Sequence, residues 1–215
     1  MLCDYDGETF SALHHYNDAK MFVNSDAVKV GIDELGKVIT ENGLETDVGV
    51  CLLHKHFDMS DDEILLEIPL DGASKLSPVN RAALKSEILP YMWKMNKHSR
   101  WTPLEFTLST KCMQSKLEKV MRNQAFIQEI GNILTRLQIH DVLGLSLLHR
   151  EHINSFNSGT LETSDEHGRI LTIGALNKHK KCDLHETVQT LWKFGIGKLG
   201  EDVCHHCTHC WHGKK

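Results

Sequence analysis

No stretch of this sequence approaches the roughly 18 to 20 uninterrupted apolar residues that a membrane helix needs, and no long block of Lys or Arg occurs in it. The first absence argues against a helical membrane span. The second, with a formal charge of -5 and a pI near 6.3, argues against nucleic acid as a partner, because neutralising a phosphate backbone takes clustered cations. The opening Met1-Leu2-Cys3-Asp4-Tyr5-Asp6 lacks the basic start and apolar centre of a secretory leader, so a cytoplasmic location is expected. Missing too are a G-x-S-x-G elbow, a phosphate-binding glycine loop and an H-E-x-x-H helix, which removes the serine hydrolase, nucleotide-binding and zincin readings.

What remains is an ordinary globular composition, 40% hydrophobic and 25% charged, with fifteen His and seven Cys as the abnormal counts. A chain of 215 residues buries about 70% of the surface its unfolded form exposes, so a core forms without help from metal or disulfides. An odd number of cysteines points to thiols or metal ligands.

Along the chain, residues 1–24 show no clear periodicity and read as an N-terminal arm. Val28, Ile32, Leu35 and Ile39 then recur at helical spacing, with Ser25 as cap and Asn42-Gly43 as the left-handed stop. Val48 to Leu53 is a continuous apolar run that fits a strand covered on both faces, and Glu63 to Ile68 a second strand. Ser77-Pro78 looks like a helix start, predicting a helix through Met95 with a kink at Pro90. Arg100 to Thr107 reads as a strand that Pro103 pushes toward an edge. Met113 to Leu137 reads as one long helix bent near Gly131, and Gly144 to Leu148 as another buried strand. Leu161 to Ile173 fits a hairpin around Asp165-Glu166-His167-Gly168, and Asp183 with Glu186 caps a final helix through Phe194. The expected fold is α+β, a single domain over 25–197 with a mixed or antiparallel sheet of about six strands and about three to four helices, followed by a Cys/His-rich tail, 198–215.

One internal echo stands out. Gly49-Val50-Cys51-Leu52-Leu53-His54-Lys55 aligns without gaps to Gly144-Leu145-Ser146-Leu147-Leu148-His149-Arg150, and each copy is followed by a strand containing Leu-Glu, Leu66-Glu67 and Leu161-Glu162. A pseudo-twofold duplication is one reading of it, and it makes His54 and His149 equivalent.

Two regions carry candidate chemistry. His54 and His56 are two apart on or beside a strand, so both imidazoles can point to one side and converge on a cation. Asp58 adds an oxygen and His149 approaches from the second copy; these histidines either ligate a catalytic metal or exchange protons with a small organic substrate. The string His54-x-His56-x-Asp58 resembles the start of the H-x-H-x-D-H motif of metallo-β-lactamase-like hydrolases, but Met59 replaces the last histidine and no second metal segment follows. The tail holds the densest soft-ligand cluster. Cys182-x2-His185, then Cys204-x2-Cys207, has the two-plus-two spacing of a structural zinc site; alternatively Cys204, Cys207 and Cys210 with His212 bind the ion alone. Zinc is the expected ion, with iron or copper as alternatives. The expected function is a metal-binding protein with a histidine-lined pocket, a small-molecule enzyme in one version, and in the alternatives a non-catalytic ligand-binding module or a metal-handling protein whose tail is the active part.

Overall fold

A computed structural model describes residues 4–96, 98–153, 160–175, 188–195 and 207–211. The N-terminal segment carries two short helices, α1 (Gly7–Ser11) and α2 (Tyr16–Val23). The segment buries Phe10, Leu13, Tyr16 and Ala19, which at about 1.5–3 kcal/mol for each large side chain holds it on the body of the protein. Two backbone bonds tie it down: Lys55 N to His14 O at 2.8 Å and Tyr16 N to Lys55 O at 3.2 Å.

Helix α3 (Asp26–Glu41) starts where Ser25 Oγ accepts from Val28 N and stops where Gly43 takes a φ of 63°, a conformation that costs glycine nothing. Its apolar stripe packs on α5 and the first strand. The single long helix expected over 113–137 is instead two, α4 (Lys111–Arg122) and α5 (Gln124–Arg136). Asn123 causes the break: its ψ of 76° leaves the helical region, and its Oδ1 accepts from Phe126 N to start α5. Its Nδ2 donates to Asn42 Oδ1 at the end of α3. Gly131 lies inside α5, buried.

The strands are β1 (Val48–Leu52), β2 (Glu63–Leu70), β3 (Ala73–Asn80), β4 (Ile88–Met95), β5 (Trp101–Leu108), β6 (Leu143–Leu147), β7 (Thr160–Asp165), β8 (Ile170–Ala175), β9 (Val188–Trp192) and β10 (Cys207–Trp211). The α+β class holds, but the expected sheet of about six strands does not: β1 to β9 share one mixed, curled sheet, and β10 joins it between β7 and β9. Its order is β1-β6-β4-β5-β2-β3-β8-β7-β10-β9, and β9 returns to β1 through Val50↔Trp192 and Cys51↔Leu191, closing a barrel. Closure leaves no edge strand in that order. Among the described residues no helix is long and apolar enough to cross a membrane.

Three sequence expectations fail here. Residues 77–95 form most of β3, a 3₁₀ turn (Arg81–Ala83) and β4, not a helix. Leu89, Tyr91 and Trp93 are buried while Ile88, Pro90 and Met92 are less so, an alternation of period two that the helical spacing of Ile88, Met92 and Met95 had masked. Of the final helix expected through Phe194, the described residues from 188 on form β9 and a short irregular segment instead. Pro103 does not mark an edge strand either, since β5 lies between β4 and β2. The β2 ladder begins at Glu105, so Pro103 is flanked by β4 alone, and Pro90 sits where the β4 register shifts.

The strand order has a twofold property. Exchanging β1 with β6, β2 with β7, β3 with β8, β4 with β9 and β5 with β10 maps the circular order onto itself, and the parallel pair β2–β5 onto the parallel pair β7–β10. Val50 and Leu145, equivalent in the sequence echo, face each other across β1–β6. The shared glycines have a shared cause. A Cβ on Gly49 would stand 2.6 Å from the carbonyl oxygen of Trp192, and one on Gly144 would press harder still on that of Trp93.

Candidate metal centre

The two glycine-to-histidine segments leave the barrel strands in the same way. Leu53 N donates to Val142 O and Leu148 N to Asp47 O, both at 2.8 Å, so each chain is held one residue before its histidine. His54 Nδ1 then lies 3.0 Å from Leu52 O, and His149 Nδ1 lies 3.1 Å from Leu147 O. A carbonyl only accepts, so in each ring Nδ1 carries a proton; in neutral His54 the Nε2 lone pair is then presented outward. That is the tautomer a metal-ligating imidazole uses when its other nitrogen is fixed by a carbonyl.

At the first segment, His54 Nε2 and His56 Nε2 stand 3.1 Å apart. Two nitrogens bound to one tetrahedral ion at about 2.0–2.1 Å are themselves about 3.3 Å apart, so the imidazoles already have ligand-like spacing. A carboxylate oxygen of Glu162, from β7, completes a group whose ligand atoms all lie within 4.8 Å of one another. Thr190 Oγ1 donates to Glu162 Oε2 at 3.3 Å. His56 and Glu162 are buried, 8% and 7% exposed. Among the described residues no Lys or Arg is within ion-pair distance of Glu162.

The equivalent place in the other half is filled differently. Glu67, from β2, is fully buried, and Arg150 grips it from one edge: Nε to Oε1 at 3.0 Å and to Oε2 at 3.2 Å, Nη2 to Oε2 at 2.8 Å. His149 Nε2 stands 3.1 Å from Glu67 Oε2. Burial alone would raise the Glu67 pKa, but Arg150 and His149 outweigh it and hold the carboxyl well below its usual range. Arg150 Nη2 also donates to the Tyr91 hydroxyl at 3.1 Å, and Tyr91 in turn donates to Glu105 Oε2. Burial pushes Glu105 up to about 7, against the pull of Tyr91 and Arg150. The protein thus supplies a cation for one buried carboxylate, Glu67, and two imidazole nitrogens for its counterpart, Glu162.

A cavity of about 20 Å³ is lined by His54, His56, Glu105, Arg150, Glu162 and Thr190 among others. That is room for about one water or ion, far below the roughly 300–1,000 Å³ of a site for an organic ligand. A more open groove of about 710 Å³ lies elsewhere, lined by Tyr5, Ile64, Arg81, Leu84, Ile88 and Phe106 among others.

Of the residues singled out from sequence, His54 and His56 are brought together. His149 is not in their group; its ring packs against Tyr91, centroids 4.3 Å apart, and against Glu67. Asp58 turns outward, 77% exposed, and pairs with Lys55 at 2.8 Å. Cys51 is fully buried, and burial pushes its thiol pKa up, which suits packing and not nucleophilic use. Cys182, His185, Cys204 and His212 lie outside the described residues, and Cys207 and Cys210 are described as backbone positions on β10. Glu162 was not anticipated as a ligand, although the repeated Leu-Glu after each glycine-to-histidine segment carried the signal. No protein-family model matches the chain, and comparison with curated proteins and with solved structures gives no significant match.

Proposed function

We propose that this chain is a metal-binding protein that holds one divalent transition-metal ion at His54, His56 and Glu162 in the barrel interior. Two imidazoles and one carboxylate are the ligand set of open zinc sites and of non-haem iron(II) sites alike, so zinc is the first candidate and iron(II) the alternative. The ion supplies Lewis acidity or, if iron, redox chemistry at positions the protein leaves open. His54 and His56 orient lone pairs toward it, Glu162 adds charge, and Thr190 fixes the carboxylate. The small cavity favours a water-sized co-ligand over an organic substrate bound inside the barrel.

The observation that carries this reading is the contrast between the two equivalent carboxylates. A buried carboxylate without a countercharge is expensive; Arg150 compensates Glu67, and a dication among the two imidazoles compensates Glu162. An odd count of seven cysteines supports a reducing compartment, the cytosol.

Elemental analysis and cobalt(II) titration of the full chain test the reading. We expect about one ion per chain in a Cys204→Ser/Cys207→Ser background, which removes thiols of the tail, and none after His56→Ala or Glu162→Gln in that background. Metal content that follows the cysteines and ignores His56 and Glu162 would refute the barrel site.

A further inference from the structure

We propose that the N-terminal segment selects which half of the barrel holds the ion: by gripping Lys55 it keeps that ammonium off Glu162, and its release hands the carboxylate to Lys55 in place of the metal. This rests on the metal reading above. In the sequence echo Lys55 is the counterpart of Arg150, as Glu162 is of Glu67. Arg150 turns inward and neutralises Glu67. Lys55 does not do the same for Glu162, although the matching strand order brings that carboxylate to the histidines on either side of it.

Four hydrogen bonds account for the difference. Lys55 Nζ donates to the backbone oxygen of Ser11 at 2.7 Å and to Asp58 Oδ1 at 2.8 Å. Its backbone N donates to His14 O at 2.8 Å, and its carbonyl accepts from Tyr16 N at 3.2 Å. Three of the four run to the N-terminal segment, and Lys55 is buried with it. Along an extended stretch neighbouring side chains point opposite ways, so pinning residue 55 to the segment leaves His54 and His56 to converge with Glu162. Tyr16, from the same segment, also meets the His54 ring, centroids 5.8 Å apart.

Two cations thus compete for one carboxylate. With the segment docked, Lys55 is paired with Asp58 and a carbonyl, and Glu162 is left to the imidazoles and the ion they hold. With the segment lifted, the turn at residue 55 is free to rotate, and its ammonium meets a buried carboxylate that lacks a countercharge. An ammonium and a dication on the same carboxylate repel one another, so docking and metal binding support each other. By linkage the ion stabilises the docked segment as much as docking favours the ion. What holds the segment down is its buried Phe10, Leu13 and Ala19, remote in sequence from both histidines.

Cobalt(II) affinity of the full chain in the Cys204→Ser/Cys207→Ser background, read from the visible bands of the ion against a competing chelator, tests this through a double-variant cycle. Phe10→Ala, which loosens the segment, should weaken cobalt binding about tenfold or more, the factor expected when about a tenth of the molecules keep it docked. Lys55→Met removes the competitor, so it should bind cobalt no more weakly than its parent, and Phe10→Ala added to it should change affinity by less than about twofold. Leu13→Ala replaces Phe10→Ala if that variant does not fold. Hydrogen exchange at the Tyr16 and Lys55 amides should slow when cobalt is added. Absence of cobalt bands, or bands indifferent to His56→Ala and Glu162→Gln, would overturn the metal reading and this inference together. Cobalt bound at the barrel site, but with Lys55→Met as damaging as Phe10→Ala, would make Lys55 a structural tie alone and overturn the competition. Equal effects of Phe10→Ala with and without Lys55, or amide exchange that cobalt leaves unchanged, would do the same.

Discussion

Glu105→Gln isolates the energetic consequence of putting a carboxyl group inside the barrel. Burial raises Glu105 from its ordinary 4.5 to about 7, which corresponds to about 3 kcal/mol at about 1.4 kcal/mol for each tenfold change in proton affinity. Between those two pH values the native state keeps a proton that the unfolded chain has released, so this residue's contribution to stability falls as pH rises, and above 7 the full cost is carried. Glutamine has the same shape, accepts from Tyr91 through its Oε1 and never ionises. The stability of Glu105→Gln relative to wild type should therefore rise by about 2–3 kcal/mol from pH 5 to pH 8. Urea unfolding of chelator-treated protein, followed by tryptophan fluorescence, measures it, and titrations shared by both proteins cancel in the difference. Neighbouring Tyr91, Arg150, Glu67 and Glu162 face this carboxyl from four other parts of the barrel, yet all are present in both proteins. A difference that stays flat across that pH range would refute the buried, proton-holding carboxyl.

The two equivalent carboxylates should respond oppositely to loss of charge: Glu67→Gln strands Arg150 without its partner and should cost about 3–5 kcal/mol, whereas Glu162→Gln in metal-free protein should be neutral or stabilising, and equal losses in urea unfolding would contradict the asymmetry. Gly144→Ala forces a methyl against the backbone oxygen of Trp93 and should cost about 1–3 kcal/mol; a melting temperature equal to wild type would show that the β4–β6 approach is looser than described.

Much of the local structure was legible. Ser25 and Gly43 bound α3, β1 and β6 were readable as continuous apolar runs, and the hairpin of β7 and β8 turns where Asp165-Glu166-His167-Gly168 sits. Each of these depends on residues near one another in the chain, through caps, turns and periodicity. Residues 77–95 were illegible because their apolar positions satisfy both a helical and a strand period, and partners far away in sequence, β5, β6 and β8, settle the choice.

The candidate site divides along the same line. The chain order alone set His54 and His56 two apart after a buried strand and repeated a glycine, a histidine and a Leu-Glu pair in each half. Only closure of the barrel decided that β7 brings Glu162 to those imidazoles while Arg150 turns to Glu67 and keeps His149 beside it. The physical reason is that spacing governs which side chains share a face, whereas burying a carboxylate demands a compensating charge, and its source depends on which distant strands meet.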